Sequence, residues 1–352
     1  MAFANSKLSG SASMFAEEDD TMRHKIARPD LRASLICLAC VLRLSVLSVT
    51  ADAQVELRAD KQILFEATDG TQTIKKGPGN KLYILTRSVK PPSSLWISDY
   101  SGSSMRMILS GGSDPTDLRF PKDLAVDRDG NAIVVDADGL IKTFSLDGKL
   151  LCFFPSDRPE SVGVLSDGRI LVGGLPKDGL ISVFDPQGKR LGHIGEPARV
   201  DDAPDLNAVL NAGSIIVDDD DDIYYVFRFL LTPTVRKYTR EGKLAAEWHP
   251  ESASLDQAIA QAKTTYEANK EKGVFGGSRV LTAGAFDAET KTLWVASGSQ
   301  VLQLDSSGKT IRSFELVRPE GGPVQASGLL VDRDFIRAAG PLHGTFEFLK
   351  PH

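Results

Sequence analysis

The sequence predicts an all-β fold, a six-bladed β-propeller of four-stranded antiparallel blades with one helical insertion between the fourth and fifth blades. Three observations carry this: a unit of roughly 40 residues recurs along the chain, each copy holds four short apolar runs, and turns built on aspartate and glycine separate the runs. A lone sheet of that kind leaves both faces wet, and stacking such sheets around an axis buries them.

The first 53 residues stand outside the repeat. Residues 22–32 are basic, residues 33–50 are mostly apolar, and Ala51-Asp52-Ala53 places small residues at the −3 and −1 positions of a cleavage before Gln54. This pattern predicts a bacterial secretory signal and a periplasmic or secreted protein. The 21 residues ahead of it are acidic and polar, the wrong character for an n-region, so the physiological start is expected at Met22 and residues 1–21 form a non-physiological leader. Arg43 interrupts the apolar run and argues against a membrane anchor, which needs about 20 apolar residues. A second route of export, lipidation at Cys40, is suggested by Cys37-Leu38-Ala39-Cys40, with Cys37 where a lipobox has leucine. Cleavage before Gln54 removes two of the three cysteines; Cys152 cannot then form an internal disulfide, and its apolar neighbours place it in the core. The charged fraction of 25% and net charge of −6 show no basic excess, and nucleic acid is not expected as a partner. A monomer is expected.

The repeat occupies residues 54–352. Its clearest copies run over 121–154 and 159–194; the same frame returns over 212–249 and 282–316, a partial copy closes the chain over 326–349, and a divergent first copy starts at Gly79. Within each of the four full copies a turn ends in glycine and lysine: Gly148-Lys149, Gly188-Lys189, Gly242-Lys243 and Gly308-Lys309. The lysine opens the outermost strand, where a charge discourages edge-to-edge pairing. The last copy is one strand short, and residues 55–67 are expected to supply its outer strand and close the ring.

The stretch 121–154 resembles the NHL repeat: a proline, an apolar strand, Asp127-Arg128-Asp129-Gly130-Asn131, a Val-Val-Asp strand and an aromatic strand ending in Asp147-Gly148-Lys149. The resemblance is close over two copies and looser over four. It implies a propeller and leaves the activity open. WD40 repeats fit worse, because no Gly-His or Trp-Asp pair recurs, and quinoprotein repeats lack their docking tryptophan.

In such a blade the first and third turns share one face, while the middle loops and the connections between blades share the other. The short Asp-Gly turns fall on the first face. The long segments 88–94, 111–121, 196–212, 227–234 and 250–278 fall on the second, where binding sites concentrate. Within the longest, residues 254–273 have helical apolar spacing, a capping box of Ser254 and Gln257, and Gly273 as a stop. This helix is expected to pack on the rim, as a lid or as a strut.

Candidate functional residues follow from the faces. The inner strands have apolar middles, so polar groups remain only near the mouth: Lys122, Asp123, Glu160, Ser161, Ser214, Thr282 and Ser327. On the long loops Arg119, Arg228, Phe229, Tyr266 and the Pro91-Pro92 pair are candidate contacts, since aromatic and arginine side chains serve as interface hot spots. No metal ligand set, phosphate-binding loop or nucleophile elbow stands out, and His193, His249, His343 and His352 are scattered. No cofactor is expected. Two readings result. One is a non-catalytic propeller that binds a protein, peptide or glycan through the long-loop face. The other is a metal-dependent hydrolase or lyase with its site near Asp123 and Glu160.

The five aspartates 218–222 need separate treatment. They mimic the start of a calcium loop, but Ile223 stands where such a loop needs glycine and Phe229 where it needs glutamate. Alignment with 127–131 makes them the first turn of the fourth blade, with calcium binding there as a minor alternative.

Overall fold

The computed structural model describes residues 55–63, 70–88, 92–114, 116–175, 178–274, 276–341 and 344–351. The leader and the signal cleavage therefore lie outside the described residues, as do Pro91, His343 and His352. Two short strands come first, β1 (Val55–Arg58) and β2 (Lys61–Ile63). Blade one is β3 (Thr71–Gly77), β4 (Lys81–Thr86), β5 (Ser94–Asp99) and β6 (Met105–Ser110). Blade two is β7 (Pro121–Val126), β8 (Ala132–Asp136), β9 (Leu140–Phe144) and β10 (Leu150–Pro155). Blade three is β11 (Pro159–Val164), β12 (Ile170–Gly174), β13 (Ile181–Phe184) and β14 (Arg190–Ile194). A short helix, α1 (Pro204–Leu210), leads to blade four: β15 (Gly213–Val217), β16 (Ile223–Phe227), β17 (Val235–Tyr238) and β18 (Leu244–Trp248). The long helix α2 (Ala253–Lys272) precedes blade five: β19 (Ala283–Asp287), β20 (Thr292–Ser297), β21 (Gln300–Leu304) and β22 (Thr310–Val317). Blade six is β23 (Gly328–Val331), β24 (Phe335–Gly340) and β25 (Gly344–Leu349), completed by β2.

Six antiparallel sheets thus form the expected propeller, and the inner strands close the ring: β3, β7, β11, β15, β19 and β23 each touch the next, and β23 returns to β3. The core is correspondingly divided into six apolar wedges, one between each pair of neighbouring blades. No blade can keep its faces dry alone, which is why the units stand or fall together.

Ring closure departs from the expectation in one respect. Strand β2 pairs antiparallel with β25 as the outer strand of blade six, but β1 runs parallel along β22 as a fifth strand of blade five. Ala59 and Asp60 make the step between blades, donating to the carbonyls of Val317 and Glu347, each at 2.8 Å. The cause is the length of β22, eight residues, which leaves an unpaired edge that β1 covers. The first blade also begins earlier than its repeat suggested, at Thr71.

Neighbouring blades share a joint. A Cβ on Gly308 would run into the Trp248 ring of the preceding blade; Gly188 stands likewise against Phe154, Gly242 against Ile194, Gly148 against the Ile108 carbonyl, and Gly102 against Ile63 of the closing strand. At Gly308 the turn also needs a φ of 83°. These glycines are therefore required twice, for the turn and for the close approach.

Helix α2 starts one step earlier than expected. Ser252 is its N-cap and accepts from the Ser254 amide, so Ser254 lies inside the helix, while Gly273 ends it in the left-handed conformation at φ 63°. Leu255 and Ala262 face inward. Cys152 is half-buried on β10 and only flanks the wedge between blades two and three; burial, then the Asp185 charge, push its thiol above the usual value, which disfavours the reactive thiolate. Among the described residues no helix is long and apolar enough to cross a membrane.

Candidate functional site

The aspartates of the short turns bond their own backbone. Asp127 accepts from the amides of Asp129 and Asn131 and from the Asn131 side chain, all within 3.0 Å. The five aspartates follow the same plan. Asp218 accepts from the amides of Asp220 and Asp222 at 2.9 Å and from the Tyr224 hydroxyl at 3.2 Å, and burial holds its carboxyl above the usual value. Asp221 accepts from the Ser166 amide and hydroxyl of blade three and pairs with Arg240. Asp222 pairs with Lys237 at 2.7 Å, and Asp220 reaches Lys291 of blade five at 3.5 Å. Apart from Asp219, which has no side-chain partner among the described residues, the run spends its charges on its own turn and on neighbouring strands and blades. Among the described residues no group of three or more histidine, cysteine, aspartate or glutamate side chains is arranged to hold a metal ion.

The axis between the faces is apolar. Val126, Val164, Ile215, Val217, Phe286 and Leu330 line a central cavity of about 220 Å³, with Lys75 and Asp219 among its polar contacts.

On the long-loop face, three of the predicted residues form one network. Lys122 donates to Glu160 Oε1 at 2.5 Å and to the Pro159 carbonyl at 3.1 Å, and Arg228 Nη2 reaches Glu160 Oε2 at 3.3 Å. Lys122 and Glu160 meet because they hold the same position in successive inner strands. Arg228 arrives from the β16–β17 loop, and its backbone is clamped on both sides: its amide donates to the Ala212 carbonyl at 3.0 Å, and its carbonyl accepts from the Val280 amide at 2.7 Å. Asn211 secures one jaw by exchanging hydrogen bonds with the backbone of Ala198 at 2.7 and 2.8 Å.

Asp123 lies beside this network and faces the wall, its two carboxylate oxygens accepting from the amides of Leu124 and Val162. Burial raises its pKa against the opposing charge of Lys75 and these amides. Phe229 lies beneath the Arg228 guanidinium, 5.8 Å from it, and above Gly277. Tyr266 is part of the helix mounting: its hydroxyl donates to Asp201 Oδ2 at 2.6 Å, and Lys270 reaches the same oxygen at 2.8 Å. These two donors hold the Asp201 carboxyl well below the usual range. Arg119 stands in a separate surface groove with Ser88, Pro92 and Phe120; its side chain donates to the Ser113 carbonyl, while its amide is held by Asp136.

Two residues of the mouth escaped sequence reasoning. Arg279 lies in the connection that returns from α2 to β19, one residue before the Val280 clamp, with its side chain exposed; crowding by the surrounding protein, then the charge of Arg228, lower its pKa. Arg87, at the end of β4, adds its charge to the same place. Both sit in connections without periodicity, so no sequence signal places them there. Helix α2 holds the returning connection through Thr265 to Ser278 and Asn269 to the Gly276 carbonyl, each at 2.9 Å.

The mouth can therefore orient and neutralise a polar ligand through fixed cationic donors. No protein-family model matches the chain, and a search of curated proteins finds no match.

Proposed function

We propose that the protein is an exported, NHL-like propeller that binds a ligand, a protein, peptide or glycan, through its long-loop face and performs no chemistry on it. One contrast carries the reading: the short-turn face is built of compact turns whose aspartates bond their own backbone, while the opposite face collects both helices and a mouth where Arg228 Nε and Thr282 Oγ1 are buried without partners. Unpaired buried donors and acceptors are unusual in a native fold, and at an open mouth water or a ligand completes their bonding. Rigid inner strands hold the mouth, as preorganised recognition requires.

The test compares faces. The immobilised protein is presented to envelope extract as wild type, as Lys122→Glu with Arg119→Glu, and as Arg128→Glu on the short-turn face. A specific partner retained by wild type and Arg128→Glu but lost by the double variant supports the reading. Loss with Arg128→Glu alone assigns binding to the other face and overturns it.

A further inference from the structure

We propose that the mouth is an oxyanion site, which takes a carboxylate or phosphate group of the ligand between Arg228 and Arg279, with Lys122 and Arg87 contributing charge. The inference rests on the long-loop face being the binding face, and it adds the chemical class that the face selects.

The first argument is charge. A single carboxylate, Glu160, serves both Lys122 at 2.5 Å and Arg228 at 3.3 Å. Asp123 accepts from two backbone amides and makes no ion pair with Lys122 or Arg228, although the Arg228 charge reaches it. Arg279 and Arg87 make no side-chain hydrogen bond or ion pair with any described residue. A chain of net charge −6 thus gathers four cationic side chains at one opening against two carboxylates, Glu160 and the amide-bound Asp123. Of the four only Arg228 is buried, and it shares Glu160 with Lys122; Arg279 and Arg87 are exposed and free to turn towards an incoming anion.

The second argument is geometric and independent of charge. Arg228 is 7% exposed, yet its Nε has no partner although its Nη2 binds Glu160. Ser161 Oγ, in a residue 1% exposed, and Thr282 Oγ1 are also buried without partners. Thr282 holds the position of Lys122 in blade five and Arg228 follows β16, so both stand at the mouth, whereas Ser161, in the position of Asp123, turns its hydroxyl towards Gly173 of its own blade. An arginine fork with one free edge binds a planar or tetrahedral oxyanion through paired N–H bonds, a geometry that lysine or a neutral amide does not reproduce. Because Val280 clamps Arg228 and Arg279 is its neighbour in sequence, the two guanidinium groups are carried on one hydrogen-bonded unit.

The test uses the full chain and two probes, inorganic phosphate and succinate, titrated by calorimetry at constant ionic strength. Saturable one-to-one binding of either probe is expected, and the tighter probe names the group. Arg279→Gln, a wetted side chain whose loss leaves the core intact, is expected to weaken binding at least about tenfold, the usual share of one charge-assisted contact. Arg228→Gln should do the same, while Asp219→Asn on the far face should leave the affinity unchanged. Absence of saturable binding, or equal affinity in wild type and Arg279→Gln, overturns the proposal. The extract experiment run on the same variants separates the failures: a partner lost with the long-loop variants but no oxyanion binding removes this inference alone, and a partner held by the other face removes both.

Discussion

Arg337 and Glu347 lie directly opposite each other on β24 and β25, both side chains 2% exposed, with Nε 2.7 Å from Oε2. The same carboxylate also takes Lys61 of the closing strand at 3.0 Å, and the guanidinium stacks on Tyr100 of blade one at 4.1 Å. The pair therefore joins the last blade to the first and to the N-terminal strand.

Glu347→Ala leaves Arg337 buried without its main countercharge. A loss of about 3–5 kcal/mol is expected, the usual result of removing one partner of a buried pair. Urea unfolding of the variant measures it; a midpoint equal to wild type would show that the pair contributes nothing to closure. Removing residues 55–63 should have a larger effect, because it strips the Lys61 contact and exposes the edges of both β22 and β25.

The joint between Gly308 and Trp248 makes a second prediction. Gly308→Ala adds both backbone strain at φ 83° and a collision with the indole, and should cost about 2–4 kcal/mol. Gly273→Ala has a similar φ of 63° but open space around it, and should cost about 1 kcal/mol. Thermal unfolding of the two variants separates packing from conformation. Equal losses would mean that the close approach is not what Gly308 is for.

Much of this joint was legible, since Gly148, Gly188, Gly242 and Gly308 recur in a fixed frame, and so was the apolar axis. Lys122 and Glu160 were legible as mouth residues because they occupy the same place in consecutive repeats. The inner strand of blade one was not: Thr71–Gly77 reads TQTIKKG, a polar run, because Lys75 lines the central cavity and Lys76 packs over Tyr100 at 4.7 Å. The split of the N-terminal segment over two blades was hidden too, for it depends on the spare length of β22 across the ring. Arg279 meets Arg228 only once the chain has folded back from α2, and a connection without periodicity does not announce such a meeting.

Acid should act through Asp167. Burial pushes its carboxyl up, but hydrogen bonds from Arg240 at 2.7 Å and Arg169 at 2.9 Å outweigh this and hold it at about 2. A folded-state value below the unfolded one, about 3.9, means stability that is present above pH 4 and lost as pH falls towards 2. Asp167→Asn should therefore lower stability at neutral pH by about 0.5–1 kcal/mol, small because the pair is solvent-screened, and the gap from wild type should close between pH 4 and pH 2. Urea midpoints of both proteins across that window check the sign; a gap that widens on acidification would contradict it.

The five aspartates yield the last prediction, and it separates two neighbours that look identical in sequence. Asp219 has no hydrogen bond or ion pair with a described residue, so Asp219→Asn should change stability by no more than about 0.5 kcal/mol. Asp221 is 5% exposed, ties blade four to blade three through the Ser166 amide at 2.8 Å and the Ser166 hydroxyl at 2.5 Å, and pairs with Arg240 of its own blade at 3.3 Å. Asparagine tolerates its left-handed φ of 64° but turns an amide towards one of those donors, so Asp221→Asn should cost about 1–3 kcal/mol. Neither change should alter binding at the opposite mouth, and added calcium should not raise the melting temperature of wild type, because these carboxylates already serve backbone amides, lysines and Arg240. A calcium-dependent rise that Asp219→Asn abolishes would instead make the turn a cation site.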